Sequence, residues 1–372
     1  MRIPTETGFT RSAHDARVTA RVGLWLGVAF GVCFVTGLLS HGIQHPPGWF
    51  DWPTRPVSLY RITQGLHVVS GVAAIPLLLA KLWSVYPLLF ARPVVRSVAH
   101  AVERGSVLLL IGAASFELIT GLLNVFQAYP WRFFFPPVHY AVGWIAIGSM
   151  IVHLGVKLPR VLDGLRRPVT DDPAPARPGA LGRRGFLGVT ALAAGAAVLA
   201  TAGATVPWLR RVSVLAWTSG TGPQGLPVNR TAAAAGVTAD PGWRLEVVWP
   251  GGSRTLSLDE LAAMDQRTAE LPIACVEGWS ASATWTGVPV SWLLAAAGAP
   301  AGRPVHVESL ERDGLYARSV LPPAHASDEL TLLALAVNGE RLSLDHGFPA
   351  RIIAPSRPGV LQTKWVRRLE VK

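Results

Sequence analysis

Five apolar segments, at about 22–42, 62–86, 104–126, 137–158 and 184–207, each approach the roughly 20 residues that an α-helix needs to cross a bilayer. Basic residues flank them unevenly. Arg2, Arg11, Arg17 and Arg21 precede the first, Arg92, Arg96 and Arg104 lie between the second and third, and Lys157, Arg160, Arg166 and Arg167 follow the fourth. The opposite loops, around 43–61 and 127–136, hold few basic residues and many Trp, Phe and Pro. Lys and Arg concentrate in cytoplasmic loops, and aromatic residues gather at the membrane surface. The pattern therefore predicts four spans with the Arg-rich ends inside, an aromatic belt outside, and a fifth helix that exits outward.

Beyond about residue 210 the pattern changes to short alternating runs bounded by Gly, Pro and Asp. WRLEVVW, RPVHVES and ARIIAP are predicted strands, while LSLDELAAM and VSWLLAAAG carry a thin helical signal. The expected architecture is multi-domain: an all-α transmembrane bundle of four spans plus a fifth anchor helix, followed by an α+β, mostly β, domain. The expected boundaries are 1–160 for the four-helix unit, 161–182 for a cytoplasmic linker, 183–208 for the anchor helix and 209–372 for the external domain. Pro and Ala enrichment over 171–178 marks the linker as flexible.

Composition supports membrane insertion. Half of the residues are apolar and 15% are charged, and the mean hydropathy is positive. The net charge of +11 sits mostly beside the apolar runs, where the inside loops need it. No nucleic-acid partner is expected; the lipid bilayer is. Two cysteines, Cys33 in an apolar run and Cys275 in a polar region, do not make a disulfide framework.

Arg183 and Arg184 stand before Gly-Phe-Leu and a weakly hydrophobic Ala/Gly-rich helix, a pattern that resembles a twin-arginine export signal. That route carries folded domains, as a domain loaded with a cytoplasmically made cofactor requires. With no small-residue cleavage site followed by a polar start, the helix is expected to remain as an anchor. The expected location is the bacterial cell membrane, with the C-terminal domain extracytoplasmic.

Ionisable residues inside the membrane are costly and point to function. His139 and His153 lie 14 positions apart on the fourth span. That spacing rotates a helix by about 320° beyond whole turns and raises it about 21 Å, so both rings share a side near opposite surfaces. This suits one haem b or two stacked haems. His67, at the depth of His139, makes the outer axial pair with it. His153 takes its partner from His100 or His14, both on the cytoplasmic side. The four-span unit resembles the bacterial cytochrome b561 and formate dehydrogenase b-subunit superfamily, whose fourth helix carries two histidines at this spacing. Members usually have a His beside a Trp in the first span, where this chain has Leu24 next to Trp25. The inner ligand pair is therefore open. His41 and His45 close the first span at the outer surface, where simple solvation, the favoured reading, competes with an interfacial or quinone-binding role.

Cys275 ends an apparent strand and opens a Gly/Ser/Trp-rich loop, LPIACVEGWSASATWTGVP. A lone soft thiolate suits a high-valent transition metal and excludes four-thiolate zinc or iron–sulfur sites. Two blocks resemble the sulfite oxidase superfamily of molybdopterin enzymes over most of 230–372. CVEGWS, with Trp285, Gly287 and Pro289, is similar to the cysteine loop of the bacterial periplasmic methionine-sulfoxide reductase branch. LLALAVNGERLSLDHGFPARIIAPSRPGVLQTKWVRRLEV looks like the pterin-binding segment.

The resemblance implies that Cys275 holds molybdenum and that His346, Arg351, Gln362, Thr363 and Lys364 contact the pterin and its phosphate. Glu311 is counted with them. Arg offers a planar fork and Lys a point charge for such an anion. Sulfite oxidases carry an Asn and an Arg soon after the metal cysteine, where this chain has Gly278 and Trp279, and an active-site Tyr beyond the KW dipeptide, which a chain ending at Lys372 does not reach. Sulfite is therefore not the expected substrate. Trp279, Trp285, Tyr316 and Arg318 are candidates for a replacement pocket, with Tyr316 and Arg318 counted as catalytic.

The expected enzyme is a molybdopterin-dependent oxidoreductase. It exchanges electrons between quinol or quinone and a small-molecule or oxidised-protein substrate outside the cytoplasm, through haem b. The CVEGWS likeness favours reduction of a sulfoxide-like or other oxo substrate. Substrate oxidation, or a non-catalytic cofactor-binding module on an electron-carrying cytochrome, are the alternatives.

Overall fold

The computed structural model describes residues 12–89, 93, 95–170, 181–216, 222–312, 314 and 316–372. The stretch 171–178, expected to be a linker, lies outside the described residues, as do Arg2, Arg11 and Arg92. Two compact units emerge. One gathers Met1–Leu38, Leu66–Gly203 and Trp208–Trp217; the other gathers Leu39–Gly65, Ala204–Pro207 and Thr218–Lys372.

The first unit is helical. Its helices are α1 (Ala16–Gln44), α2 (Leu59–Leu89), α3 (Val98–Val125), α4 (Phe135–Arg166) and α5 (Arg183–Thr201), with the ends of α1 and α2 shared with the second unit. All five are long and apolar enough to cross a membrane. Ser97 caps α3 by accepting the His100 N–H. Helix α4 continues through Arg166, past the boundary expected at 160. Its last carbonyls are satisfied from α1, where the Arg21 guanidinium donates to Gly164 O (3.0 Å), Leu165 O (3.3 Å) and Arg167 O (2.9 Å). A cation at a helix C-terminus also meets the negative end of the helix dipole.

Gly164 makes this crossing possible, since a Cβ there would lie 2.8 Å from Ala16 O. Arg183 pairs with Asp15 at 3.0 Å, and Arg184 Nε donates to Val169 O at 3.0 Å. Asp15 is held down to about 2, first by its hydrogen bond from Arg17. Arginines that mark the inner side in sequence thus also close helix ends and ion pairs.

Among the described residues of the second unit, ten strands form two sheets. They are β1 (Arg244–Trp249), β2 (Gly252–Ser257), β3 (Arg267–Ala274), β4 (Ser280–Pro289), β5 (Val305–Ser309), β6 (Arg318–Leu321), β7 (Leu332–Val337), β8 (Glu340–Arg341), β9 (Arg351–Ile353) and β10 (Val366–Val371). One sheet has the order β2-β1-β10-β5-β6 and the other β3-β4-β7-β8, with β9 on β7. Only β1 and β10 pair in parallel among these strands. All three predicted strands and both predicted helices are present, the helices as α7 (Leu258–Ala263) and α8 (Val290–Ala297), preceded by the short α6 (Ala232–Ala235).

Alternation along the strands builds the core. Leu245 and Val247 of β1, Val305 and Val307 of β5 and Leu369 and Val371 of β10 meet Val288 of β4, Leu333 of β7 and Ile352 of β9 in one buried cluster, sealed by Leu293 and Leu294 of α8. Removing a fully buried leucine such as Leu245 would cost about 2–5 kcal/mol. The β3–β4 turn and the segment 343–365 emerge from this scaffold.

Candidate active site

Strands β3 and β4 stay in register to the pair Ala274↔Ser280, so residues 275–279 form the connecting turn. Cys275 N–H donates to Trp279 O at 2.8 Å, and Gly278 N–H donates to Cys275 O at 3.0 Å. Closing the turn requires φ of 93° at Gly278, a left-handed conformation that glycine adopts without a Cβ penalty. Cys275 is 1% exposed. The Glu277 carboxylate accepts from Trp279 Nε1 at 3.2 Å and lies 3.5 Å from Cys275 Sγ. Burial first, and then the Glu277 charge, push the Cys275 thiol well above its usual range. A thiolate there needs a strongly positive partner, which a high-valent metal supplies.

The second component is the contiguous 343–365 segment. Gly347, at φ 107°, sits so tightly that a Cβ would lie 3.1 Å from the Cβ atoms of both Arg351 and Lys364. His346 Nε2 meets Pro223 O at 2.7 Å, and burial together with the Arg351 and Lys364 charges holds its pKa down to about 4. The ring is neutral at neutral pH and pins the 222–226 stretch.

Arg351, 4% exposed, donates to His346 O (3.1 Å) and Gln362 O (3.3 Å) and lies 5.1 Å over the Trp285 ring. Lys364 Nζ donates to Arg230 O (2.7 Å) and Asp345 O (2.9 Å). Burial and the Arg351 charge bring it down to about 7. The Thr363 hydroxyl meets Ser319 Oγ at 2.7 Å, and Glu311 is bound by Arg230 at 2.7 Å.

Several polar atoms here have no protein partner. Arg351 Nε, Arg357 Nε and Nη1, Gln362 Oε1 and Ser280 Oγ are buried and unpartnered. Arg357, 4% exposed, uses Nη2 on Val320 O at 2.7 Å, and no carboxylate among the described residues pairs with it or with Arg351. Two buried guanidinium groups with spare donors suit an anion. Cys275 offers one metal donor, and no group of three or more His, Cys, Asp or Glu among the described residues could hold a metal ion. This donor set fits a metal at Cys275 whose other ligands come from an organic, anionic cofactor.

The other candidates divide. Tyr316 lies within electrostatic reach of Cys275 and Glu277, whose charges add to burial in raising its pKa. Trp279 is buried over the turn. Trp285 is fully buried, gives its indole N–H to Leu271 O at 3.2 Å, and acts as the platform beneath Arg351 rather than as a pocket wall. Arg318 has a side chain that is 80% exposed and faces Glu308 at 3.6 Å. The alternation of β6 turns Arg318 and Val320 outward and Ser319 and Leu321 inward. Sequence reasoning missed Arg357, Glu277, Tyr60 and Gln64. Arg357 stands in the RPG of the pterin block, where only its burial distinguishes it.

In the helical unit, the rings of His67 and His139 stand 6.2 Å apart at 75°. His67 Nδ1 lies 2.9 Å from Cys33 O and 3.2 Å from Thr36 Oγ1, and His139 Nδ1 lies 3.0 Å from Glu117 Oε2. With Nδ1 of His67 hydrogen-bonded to protein, Nε2 is the nitrogen that ring has left for a metal, while His139 Nδ1 is buried with no hydrogen-bond partner. Gly37 on α1 and Gly121 on α3 face the two rings, where Cβ atoms would approach His67 Cε1 to 3.2 Å and His139 Cε1 to 3.7 Å. The inner candidates are not gathered in this way. His14 lies beside Trp83 at 5.9 Å, His100 Nδ1 accepts from Arg96 N–H at 3.2 Å, and His153 has a buried Nδ1 with no hydrogen-bond partner.

Residues 233–372 match the family described as an oxidoreductase molybdopterin binding domain. The same region is similar to sulfite oxidases. Mitochondrial sulfite oxidase of Mus musculus is 31% identical over 158 residues, 35% of this chain and 29% of that protein. A protein of Azospira oryzae named as a protein-methionine-sulfoxide reductase subunit, YedZ1, is 33% identical over 115 residues, 31% of this chain and 43% of that protein. The sulfane dehydrogenase SoxCD of Paracoccus pantotrophus is 26% identical, with a TM-score of 0.36 over 41% of this chain and 44% of that one. The chain thus spans less than half the length of each.

Proposed function

We propose that this protein is a membrane-bound molybdopterin-dependent oxidoreductase that passes electrons from quinol, through haem b, to a sulfoxide-like or other oxo substrate outside the cytoplasm. The observation that carries the reading is the meeting of one buried cysteine turn with buried, counterion-free arginines. Together these suit a thiolate-bound metal whose remaining ligands come from an anionic pterin. The name of the Azospira oryzae relative supports the sulfoxide direction.

When bound, the cofactor supplies two-electron chemistry coupled to gain or loss of an oxygen atom. Reduction of a sulfoxide takes two electrons and two protons and releases the sulfide and water. The chain's residues hold and orient. Cys275 would hold the metal, and the Gly278 turn fixes where its sulfur points. Arg351, Lys364 and His346 would hold the pterin and its phosphate, with Gln362 and Thr363 lining the same segment. Glu311, bound to Arg230, anchors the stretch beside them. Trp279 and Tyr316 flank the metal face, Tyr316 with a phenol kept protonated by its surroundings. His67 and His139 would hold one haem b, which would supply single-electron transfer.

Compartment follows from two supports. The connection between α1 and α2 is the side that the basic residues leave outside, and it belongs to the same compact unit as the molybdopterin-binding domain. The Arg183–Arg184 pair suits export of that domain already folded. A screen of the membrane-embedded protein with a reduced quinol analogue tests the function. Haem reduced by quinol should be reoxidised when a sulfoxide is added and not when sulfite is. Reduction of the haem by an added substrate, with none of this reoxidation, would reverse the direction.

A further inference from the structure

The loop joining the first two spans has the Trp, Phe and Pro content of a membrane-surface belt, but its polar atoms are spent elsewhere. Trp52 Nε1 donates to both Ser356 O (2.7 Å) and Ser356 Oγ (2.9 Å). Val57 O accepts the Ser356 N–H at 2.9 Å. Ser356 is buried at φ 55°, a left-handed conformation that a side chain keeps only when its surroundings enforce it. The next residue is Arg357, with its two unpartnered buried donors, and the one after it, Pro358, bridges Ala274.

At the other end of the loop, Tyr60 is 1% exposed and packs with Ile43, Ala274 and Leu361, its hydroxyl 3.0 Å from Ser40 Oγ. One turn on, Gln64 Nε2 donates to Val276 O at 3.4 Å. Both chain neighbours of Cys275 are therefore contacted from the first turns of α2 that follow this loop. Its rim is more exposed. There Arg55 forks onto Asp328 (2.6 and 3.0 Å) and Arg61 reaches Ser282 Oγ at 3.0 Å.

We infer that residues 39–65 are a built-in part of the cysteine site, with Trp52, Tyr60 and Gln64 as positioning residues for the Cys275 turn and the Ser356–Arg357 turn. The inference rests on the molybdopterin reading for its functional meaning. Its physical content is that the metal cysteine and the buried Arg357 are aimed by a segment outside the molybdopterin-binding domain itself. Cofactor geometry would then depend on the membrane connection, in the way that supporting shells orient metal ligands elsewhere.

Full-length protein in detergent carrying Trp52→Phe, which keeps the ring and deletes the donor, or Gln64→Leu tests this, with Arg61→Ala as a rim comparison. The first two should retain helical circular dichroism, shift the g-values of the molybdenum(V) resonance, and lower molybdenum retention on dialysis by about 10-fold. Arg61→Ala should match the wild type. Hydrogen exchange reads positioning without any metal: Trp52→Phe should accelerate exchange over 355–359, and Gln64→Leu over 274–278. Wild-type exchange in both variants overturns the inference, whatever the metal content. Accelerated exchange in a wild-type background that binds no molybdenum would sustain the positioning and sink the molybdopterin reading instead.

Discussion

The two candidate cofactor sites are assembled in opposite ways. In the C-terminal domain, one hairpin turn would supply the metal donor and one continuous segment, His346 to Trp365, would supply most of the anion contacts. In the helical unit, His67 and His139 come from separate helices, and each is oriented by a third party, Cys33 O on α1 or Glu117 on α3. A contiguous site leaves its pattern in the sequence as a block with fixed order. A distributed one leaves only isolated polar residues at membrane depth, costly enough to be noticed but without partners attached.

That contrast sets the mutations that would break it. The largest effect belongs to Cys275→Ser, which should abolish turnover while leaving the haem spectrum unchanged, and to His67→Ala, which should do the reverse, removing haem absorption while molybdenum stays bound. Loss of both signals in either variant would show that the two sites do not form independently. Next comes Arg351→Ala. Removing a charge-assisted contact of about 1.5–3 kcal/mol should weaken pterin retention by roughly 10- to 100-fold, measured as pterin released on gel filtration. Retention should also fall as pH rises through the depressed pKa of Lys364, near 7, because the neutral amine no longer attracts the phosphate.

Smaller still is Glu117→Gln, which keeps a side chain at His139 Nδ1 but removes the carboxylate. Haem should remain, with a raised reduction potential; an unchanged potential would mean that Glu117 does not orient that ligand. The smallest effect belongs to Arg318→Ala. Its exposed contact with Glu308 should leave pterin retention untouched and change stability by about 1 kcal/mol or less. A loss of activity there would restore it to the site.

Much of this was legible from sequence for physical reasons. The five helices follow from hydrophobic length alone, and the strands of the C-terminal domain from alternation between turn residues. The pterin block was readable because its ligands sit on one segment. What escaped needed long-range packing. Trp52 finds Ser356 at 304 positions' separation and Gln64 finds Val276 at 212, so an aromatic, proline-rich loop looked like a lipid belt. Arg357 looked like any basic residue in a loop until its burial removed the possibility of solvation. The outward face of Arg318 was not legible because strand register, which decides the face, is set by the neighbouring β5 rather than by β6's four residues. The helix end at Arg166 was missed because Arg21, on another helix, supplies the cap.

The central claim is that Cys275 and the buried arginines hold one molybdenum cofactor. Molybdenum by mass spectrometry and pterin by fluorescence, both on the purified full-length protein, test it together. Equimolar molybdenum and pterin, with the metal lost in Cys275→Ser and the pterin lost in Arg351→Ala, is the result expected. Protein without either, or metal bound equally well in Cys275→Ser, would contradict it.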